Sequence, residues 1–380
     1  MGIKDLIFYP VFLVIAFFIF HLWQRFSQNP GSKWKLAYLF KIISALLIAM
    51  LYQFYYQGGD TFNYYFHSNQ LFQAILDHPI EGIKVLFRHN YFSPELSEYL
   101  SKMWYFEDKS SMTVVRVATF FGFLTFNTYL GISIFFATLS FTASYALYRV
   151  FSDLYPEIKR RVFLISFFIP SVAIWGSGLF KDTLTLTAMA WIIYGFYFML
   201  IRKRKILINS LLILISGYIL MIVKIYILIS IVPALMLWYF MDNLDKIRSL
   251  ALRILILPVF LVAALSAGYF MIERITQENE RYALENISKT AQVTAMDIYA
   301  GWGAGAGSAY YLGEQDGSLS GFLTLIPSAL VVTLFRPWLW EINNFLMLIQ
   351  SLESTLILVL FVVFLFKVKP LRIIKYSFEN

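Results

Sequence analysis

The run "LIFYPVFLVIAFFIFHLW" at residues 6–23 contains no Asp, Glu, Lys or Arg. An α-helix needs about 20 such residues to cross the hydrocarbon core of a bilayer, and in lipid only a helix satisfies all of its own backbone groups. The run follows a single lysine and is not followed by a cleavage site of small residues. We therefore predict that it is a retained transmembrane helix and not a signal peptide.

Similar apolar runs recur along the 380 residues, of which 59% are hydrophobic and 14% are charged. There is no alternation typical of a membrane-spanning barrel. The sequence therefore predicts a single all-α integral membrane domain over residues 1–380, with about nine transmembrane helices and a range of about 8–11. The predicted spans are 5–23, 36–56, 129–150, 162–178, 182–201, 206–223, 225–241, 251–271 and 344–367.

Basic clusters between the runs set the predicted orientation. The net charge is +8, but the charges lie in short clusters at the ends of apolar runs, which is typical of topology signals and not of nucleic-acid binding. The clusters fall on one side if the shorter segments 113–126 and 322–335 are re-entrant or interfacial helices that do not cross. By the positive-inside rule that side is cytoplasmic, so the N-terminus is predicted outside and the C-terminus inside. The clusters are Arg25/Lys33/Lys35, residues 159–161 and 202–205, Lys246/Arg248/Arg253 and Lys367/Lys369/Arg372/Lys375.

Two long loops lie on the predicted outer side. The first, 58–111, mixes aromatic and charged residues and is predicted to form helices along the membrane surface. The second, 273–321, ends in the glycine-rich "AGWGAGAGSAYYLGEQDGS" and is predicted to be partly mobile.

Four ionisable residues from separate parts of the chain reach this same outer level. They are Asp60, Lys181, Lys224 and Arg336. A carboxylate can serve as a general base towards a hydroxyl, whereas lysine and arginine can hold a phosphate and stabilise it as it leaves. Each also has a structural explanation: Asp60 as a helix N-cap, the lysines as interfacial side chains, and Arg336 as a partner of Glu341.

The stretch "GGDTFNYY" at 58–65, an acidic residue just past an early span, precedes surface helices and many short spans. This organisation resembles the GT-C superfamily of polyprenyl-phosphate-dependent glycosyltransferases and the related polysaccharide polymerases. The resemblance implies a GT-C-like fold, with Asp60 as catalytic base and Lys181, Lys224 and Arg336 as ligands of the lipid phosphate. The typical adjacent acidic pair is absent, and the loop follows the second span instead of the first.

The resemblance also implies the partners. These are a lipid-linked sugar as donor, a glycan, lipid or protein as acceptor, and the lipids of a bacterial inner membrane, with no nucleic acid. No metal site is predicted, and no cofactor is certain, although the resemblance leaves a divalent metal open. Candidate sugar-stacking or lid residues are Tyr64, Tyr65, Trp302, Tyr310 and Tyr311, which ordinary interfacial packing also explains.

Two other functions fit the same residues. In a transporter or flippase of an anionic lipid-linked substrate, Asp60 would couple or gate movement. Transporters often have inverted repeats and charges near the midplane, whereas this sequence shows no internal repeat and its four candidate charges lie at one face. In a non-catalytic membrane subunit of an envelope complex, substitution of Asp60 would have no effect on activity.

Overall fold

A computed structural model describes residues 2–26, 31–243 and 318–367, together with isolated residues between 262 and 296. The described residues form helices and no strands, and seven of these helices are long and apolar enough to cross a membrane. The chain is therefore a polytopic helical membrane protein. It divides into two compact units, Met1–Leu250 and Ala251–Asn380.

The first unit contains twelve helices, α1 to α12. Their bounds are α1 Ile3–Phe26, α2 Ser32–Met50, α3 Asp60–Asp77, α4 Pro79–Phe87, α5 Ser97–Leu100, α6 Lys109–Leu124, α7 Tyr129–Leu154, α8 Lys159–Phe168, α9 Pro170–Trp175, α10 Lys181–Phe196, α11 Ile206–Val223 and α12 Ile225–Asp242. A wide helical turn extends α2 over Leu51–Tyr55, and another extends α10 over Tyr197–Ile201.

Helix α7 is the centre of this unit. Its N-terminus meets that of α1, where the Leu130 amide donates to Asp5 Oδ1 at 2.9 Å. Helix α2 packs against α7 in the opposite direction, joined by a 2.9 Å hydrogen bond between the Tyr38 and Thr138 hydroxyls. Helix α10 runs parallel to α7, because Trp191 bonds Thr142 near the middle and Arg202 bonds Asp153 near the far end.

Because α7 and α10 are parallel, the chain must cross the unit between them. The prediction of one span over 162–178 differs from the structure here: α8 and α9 make this crossing as two short helices. Pro170 has no backbone N–H and holds the preceding residue Ile169 in an extended conformation, so the helix is interrupted. A hydrogen bond from Ser177 to Ser140, 3.3 Å between the oxygens, fixes the end of the crossing against α7.

The segment predicted at 113–126 forms α6, a helix that starts and ends at the same end of the unit. Near its start Ser110 donates to the Val223 carbonyl at 3.2 Å, and after its end the chain enters α7 beside Asp5. Helices α3 to α6 pack together at this end.

Three basic clusters lie at the other end of the unit. Trp23 and Trp34 bring the ends of α1 and α2 together, with ring centroids 6.2 Å apart, and Trp34 contacts Phe163 of α8 at 5.2 Å. The cluster at 202–205 follows α10 beside the end of α7. The first unit therefore separates its basic clusters from Asp60, Lys181 and Lys224.

The second unit, where described, contains α13 (Leu319–Thr324), α14 (Ile326–Phe335) and α15 (Phe345–Lys367). The predicted short segment 322–335 corresponds to α13 and α14, which are separate short helices, and α15 is the predicted last span. The predicted span 251–271 and most of the predicted loop 273–321 lie outside the described residues.

Candidate functional site

A cavity of about 390 Å³ opens at the end of the first unit opposite the basic clusters. Its lining comes from the starts of α3, α6 and α10, the segment before α6, and the junction of α11 and α12. The lining residues are Asp60, Tyr64, Tyr105, Asp108, Ser111, Phe180, Lys181, Asp182 and Lys224.

Two glycines place Asp60 at the rim of this cavity. Gly58 and Gly59 have φ angles of 152° and 105°, a region that residues with a side chain rarely adopt, and a Cβ on Gly59 would lie 2.8 Å from Tyr52 Cε1. The chain turns here from α2 into α3, and the next residue, Thr61, is fixed by a 2.8 Å hydrogen bond to Tyr129.

Asp60 itself is the first residue of α3 and is exposed. The N-cap position is Gly59, and no side chain caps the helix, so the N-cap explanation of Asp60 does not hold. Within the described ranges its carboxylate forms neither a hydrogen bond nor an ion pair. Tyr64, one turn along the same helix, is buried, and its ring centroid lies 5.4 Å from that of Tyr105. Both tyrosines line the cavity with the Asp60 carboxylate.

Lys181 is held by Asp108, with 3.2 Å between Nζ and Oδ2. Asp108 is also the N-cap of α6: it accepts hydrogen bonds from the backbone of Ser110 and Ser111, at 3.0 and 3.2 Å, and from the Ser111 hydroxyl. Burial opposes ionisation of Asp108, but the Ser111 hydrogen bond and the charge of Lys181 outweigh it and hold its pKa below the usual value. This carboxylate is therefore ionised, and it serves to cap α6 and to hold Lys181.

Lys224 is the single residue between α11 and α12, and its ammonium pairs with Asp182. Burial alone would lower the pKa of Lys224, but the hydrogen bond and charge of Asp182 raise it above the usual lysine value. The lysine side chains are 26% exposed for Lys181 and 23% exposed for Lys224. Both amino groups are thus reachable from the cavity.

The cavity brings together four of the residues predicted from the sequence: Asp60, Tyr64, Lys181 and Lys224. Tyr65 is not in the lining; its hydroxyl donates to the Asn127 carbonyl at 2.9 Å. Arg336 belongs to the second unit, where it binds Glu341 through two hydrogen bonds and lowers the pKa of that carboxyl. Trp302, Tyr310 and Tyr311 lie outside the described residues.

Sequence reasoning missed most of the other lining residues. Asp108 stands before "KSS", and an Asp at the start of an apolar helical run is a typical N-cap signal that would have marked it. Asp182 adjoins Lys181 in the same turn, but the sequence does not say that it faces Lys224. Tyr105 and Phe180 carry no local signal that distinguishes them from the other aromatic residues of the chain.

The donor set does not fit a metal site. Three carboxylates line the cavity, but two of them are paired with lysines, and no group of three His, Cys, Asp or Glu residues within the described ranges is arranged to hold a metal ion. No step is therefore assigned to a metal.

The cavity can combine proton acceptance with anion binding. An ammonium group has three N–H donors, and each lysine uses one towards its aspartate, which leaves donors for a second anion. Asp60 supplies a carboxylate free to take a proton.

Comparison with models of protein families, with curated proteins and with solved structures finds no match to this chain.

Proposed function

We propose that the protein transfers a sugar from a lipid-linked phosphate or diphosphate donor to an acceptor hydroxyl at the outer membrane face. The observation that carries this proposal is the carboxylate of Asp60, without a partner among the described residues, in the same cavity as Lys181 and Lys224. The GT-C resemblance supports the same assignment. No other described feature of the cavity supplies both a base and a phosphate-binding group.

The donor phosphate binds to Lys181 and Lys224. Lys181 is the first residue of α10 and Lys224 lies between α11 and α12, and all three helices are long and apolar enough to cross a membrane. Their remaining N–H groups stabilise the charge that grows on the phosphate as it leaves. The GT-C resemblance alone proposes Arg336 as a further phosphate-binding residue.

Asp60 acts as general base in a single displacement. It takes the proton of the acceptor hydroxyl while the hydroxyl oxygen bonds to the anomeric carbon. The bond from that carbon to the phosphate oxygen breaks, and its electron pair leaves with the phosphate. Because the attack comes from the side opposite the phosphate, the configuration inverts. Tyr64 lines the cavity and offers its aromatic ring to the sugar. Tyr65, the next residue in the sequence, does not line the cavity. Trp302, Tyr310 and Tyr311 are proposed as sugar-stacking or lid residues from the sequence alone.

The proposed location is the inner membrane of a bacterium, with the N-terminus outside and the C-terminus in the cytoplasm. The separation of the basic clusters from the cavity supports this orientation by the positive-inside rule.

A second candidate function is transport of an anionic lipid-linked substrate. Lys41 favours it: this residue lies inside α2, is fully buried, and its Nζ has no hydrogen-bond partner within the described ranges. An ionisable group inside a membrane span is often part of a substrate or proton pathway.

One experiment separates the two candidates. The full chain is purified in lipid and incubated with polyprenyl-linked sugars and acceptor, and the products are followed by mass spectrometry. In parallel, movement of the same lipids across vesicles that contain the protein is measured. Transfer without movement supports the enzyme; movement without transfer supports the transporter and overturns the main proposal.

A further inference from the structure

A second cavity, of about 280 Å³, lies along the side of the first unit. Helix α7 forms its floor with Ile134, Thr138 and Tyr145, α1 forms one wall with Ile15 and Ile19, and Trp191 of α10 closes the other side. We name it the α7 groove. All of these residues belong to helices long and apolar enough to cross a membrane, so the groove lies along predicted membrane-spanning segments.

The interior of the α7 groove offers no free polar group at its two threonines. The Thr138 hydroxyl bonds the Tyr38 hydroxyl and the Ile134 carbonyl, and the Thr142 hydroxyl bonds Trp191 and the Leu139 carbonyl. Binding of a ligand in this groove is therefore favoured by the burial of apolar surface and not by hydrogen bonds to these threonines.

The groove runs along α1 and α7 from Phe12 and Leu124 towards Trp23 and Tyr145. Along α1 it extends from Phe12 to Trp23, about 16 Å at the helical rise of 1.5 Å per residue. The hydrocarbon core is about 30 Å thick, so this length matches the chain of a lipid in one leaflet. Trp23 and Tyr145 mark the end where Arg25 and Lys33 lie.

Arg149 stands at this same end. One N–H of its guanidinium donates to the hydroxyl of the groove residue Tyr145 at 3.1 Å, and its carbon lies 5.9 Å from the centre of the Tyr145 ring. The neighbouring carboxylate, Asp153, is bound by Arg202, and Arg149 forms no ion pair within the described ranges. Its other N–H donors can bind a phosphate oxygen pair.

We propose that the α7 groove binds one hydrocarbon chain of an anionic phospholipid, with the lipid phosphate against Arg149. Arg149 lies at the opposite end of the unit from the Asp60 cavity, and the two cavities share no lining residue, so this lipid site is separate from that of the sugar donor. It does not depend on the proposed glycosyl transfer.

Native mass spectrometry of the full chain, titrated with phosphatidylglycerol or phosphatidylcholine, tests the site. The wild type should retain one phosphatidylglycerol more firmly than phosphatidylcholine. Arg149→Gln should weaken phosphatidylglycerol binding about fivefold and remove the preference, since one cation near an anionic lipid contributes that much. Ile15→Trp should fill the groove and weaken both lipids.

Two matched controls lie close by. Val14 is 71% exposed on α1 and is not in the groove, and Arg160 is an exposed cation at the same end of the unit. If Val14→Trp weakens binding as much as Ile15→Trp, or Arg160→Gln as much as Arg149→Gln, the lipids are general annular lipids and the proposal is overturned. Unfolding midpoints of all four variants show that each is folded.

Discussion

Lys224 is the residue at which a donor phosphate must compete with the protein itself. Its ammonium is paired with Asp182, whose side chain is 59% exposed. Two lysines share the cavity with three carboxylates, so a bound anion must compete with side chains of the protein for the lysines.

Asp182→Asn should therefore tighten binding of a polyprenyl phosphate. The expected gain is modest, up to about fivefold, because exposed ion pairs contribute about 1 kcal/mol or less. Binding is measured by native mass spectrometry, with Asp242→Asn as a control at the far end of α12. An unchanged or weaker affinity in Asp182→Asn would remove Lys224 from the phosphate site.

His67 gives the protein a sensitivity to acid. It is fully buried, neither ring nitrogen has a hydrogen-bond partner within the described ranges, and its ring lies 4.2 Å from Trp104 and 4.6 Å from Tyr105 between centroids. Burial lowers its pKa to about 4. Between that value and about 6.5 the unfolded chain binds a proton that the folded chain does not, so stability falls as the pH drops through this window.

His67→Phe should remove this part of the acid sensitivity. The wild type should lose about 1–2 kcal/mol of stability between pH 7 and pH 5, less than the full shift because part of the window lies below pH 5. Unfolding midpoints at both pH values measure the loss. The more exposed His78, replaced by Phe, is the control, and an equal loss in wild type and His67→Phe would contradict the account.

The sequence located Asp60, Lys181 and Lys224 because isolated charges at the ends of long apolar runs are conspicuous. It could not locate Tyr105 or Phe180, because an aromatic residue at a membrane interface looks the same whether it lines a cavity or faces lipid. Nor could it show that the two lysines already have carboxylate partners, which depends on how α6, α10 and α11 meet.

Among the elements, α3 and α4 depend on a close approach at Gly82. A Cβ at this position would lie 2.7 Å from Ile75 Cα and 2.9 Å from the Ala74 carbonyl oxygen. Both contacts are to backbone, which cannot move aside as a flexible side chain can.

Gly82→Ala should push α4 away from α3 and destabilise this part of the protein by about 1–3 kcal/mol. The control is Gly217→Ala in α11, where an added Cβ meets nothing within 4 Å and where alanine should favour the helix. Thermal unfolding compares the two variants. A Gly82→Ala midpoint equal to that of Gly217→Ala would show that the helices do not pack this closely.

The positions of the long helices followed from their apolar runs, but the break in the crossing segment did not. Residues 162–178 are long and apolar enough for one span, and Pro170 is compatible with either a kinked helix or two helices. The turn after the break packs against α7 through the Ser177–Ser140 hydrogen bond. A local sequence pattern cannot predict this contact.

At the scale of the whole molecule, the charge pattern predicts that the basic clusters share one side, and the three clusters at 25–35, 159–161 and 202–205 lie at one end of the described part of the first unit. That grouping needs no knowledge of packing, because it depends on the number of crossings between clusters. Which side of the membrane this end faces is a prediction from the positive-inside rule.

The chain has no cysteine, so single cysteines can report the orientation without background. A cysteine replacing Glu107, near the cavity, should react with a membrane-impermeant maleimide on intact cells. One replacing Lys203 should react only after the membrane is opened. The reverse labelling pattern would show that the topology is inverted and that the cavity opens on the cytoplasmic side.

The most direct test of the central claim is the transfer rate of Asp60→Asn. The asparagine keeps the size of the side chain but cannot accept a proton as a base, and it disturbs no hydrogen bond or ion pair within the described ranges. We expect donor binding to remain, transfer of sugar to fall by about 10²–10⁴-fold, and the wild-type product to be inverted at the anomeric carbon. Glu107→Gln, an exposed neighbour outside the cavity lining, should transfer at the wild-type rate. If Asp60→Asn transfers sugar as fast as Glu107→Gln, Asp60 is not the base and the proposed mechanism is wrong.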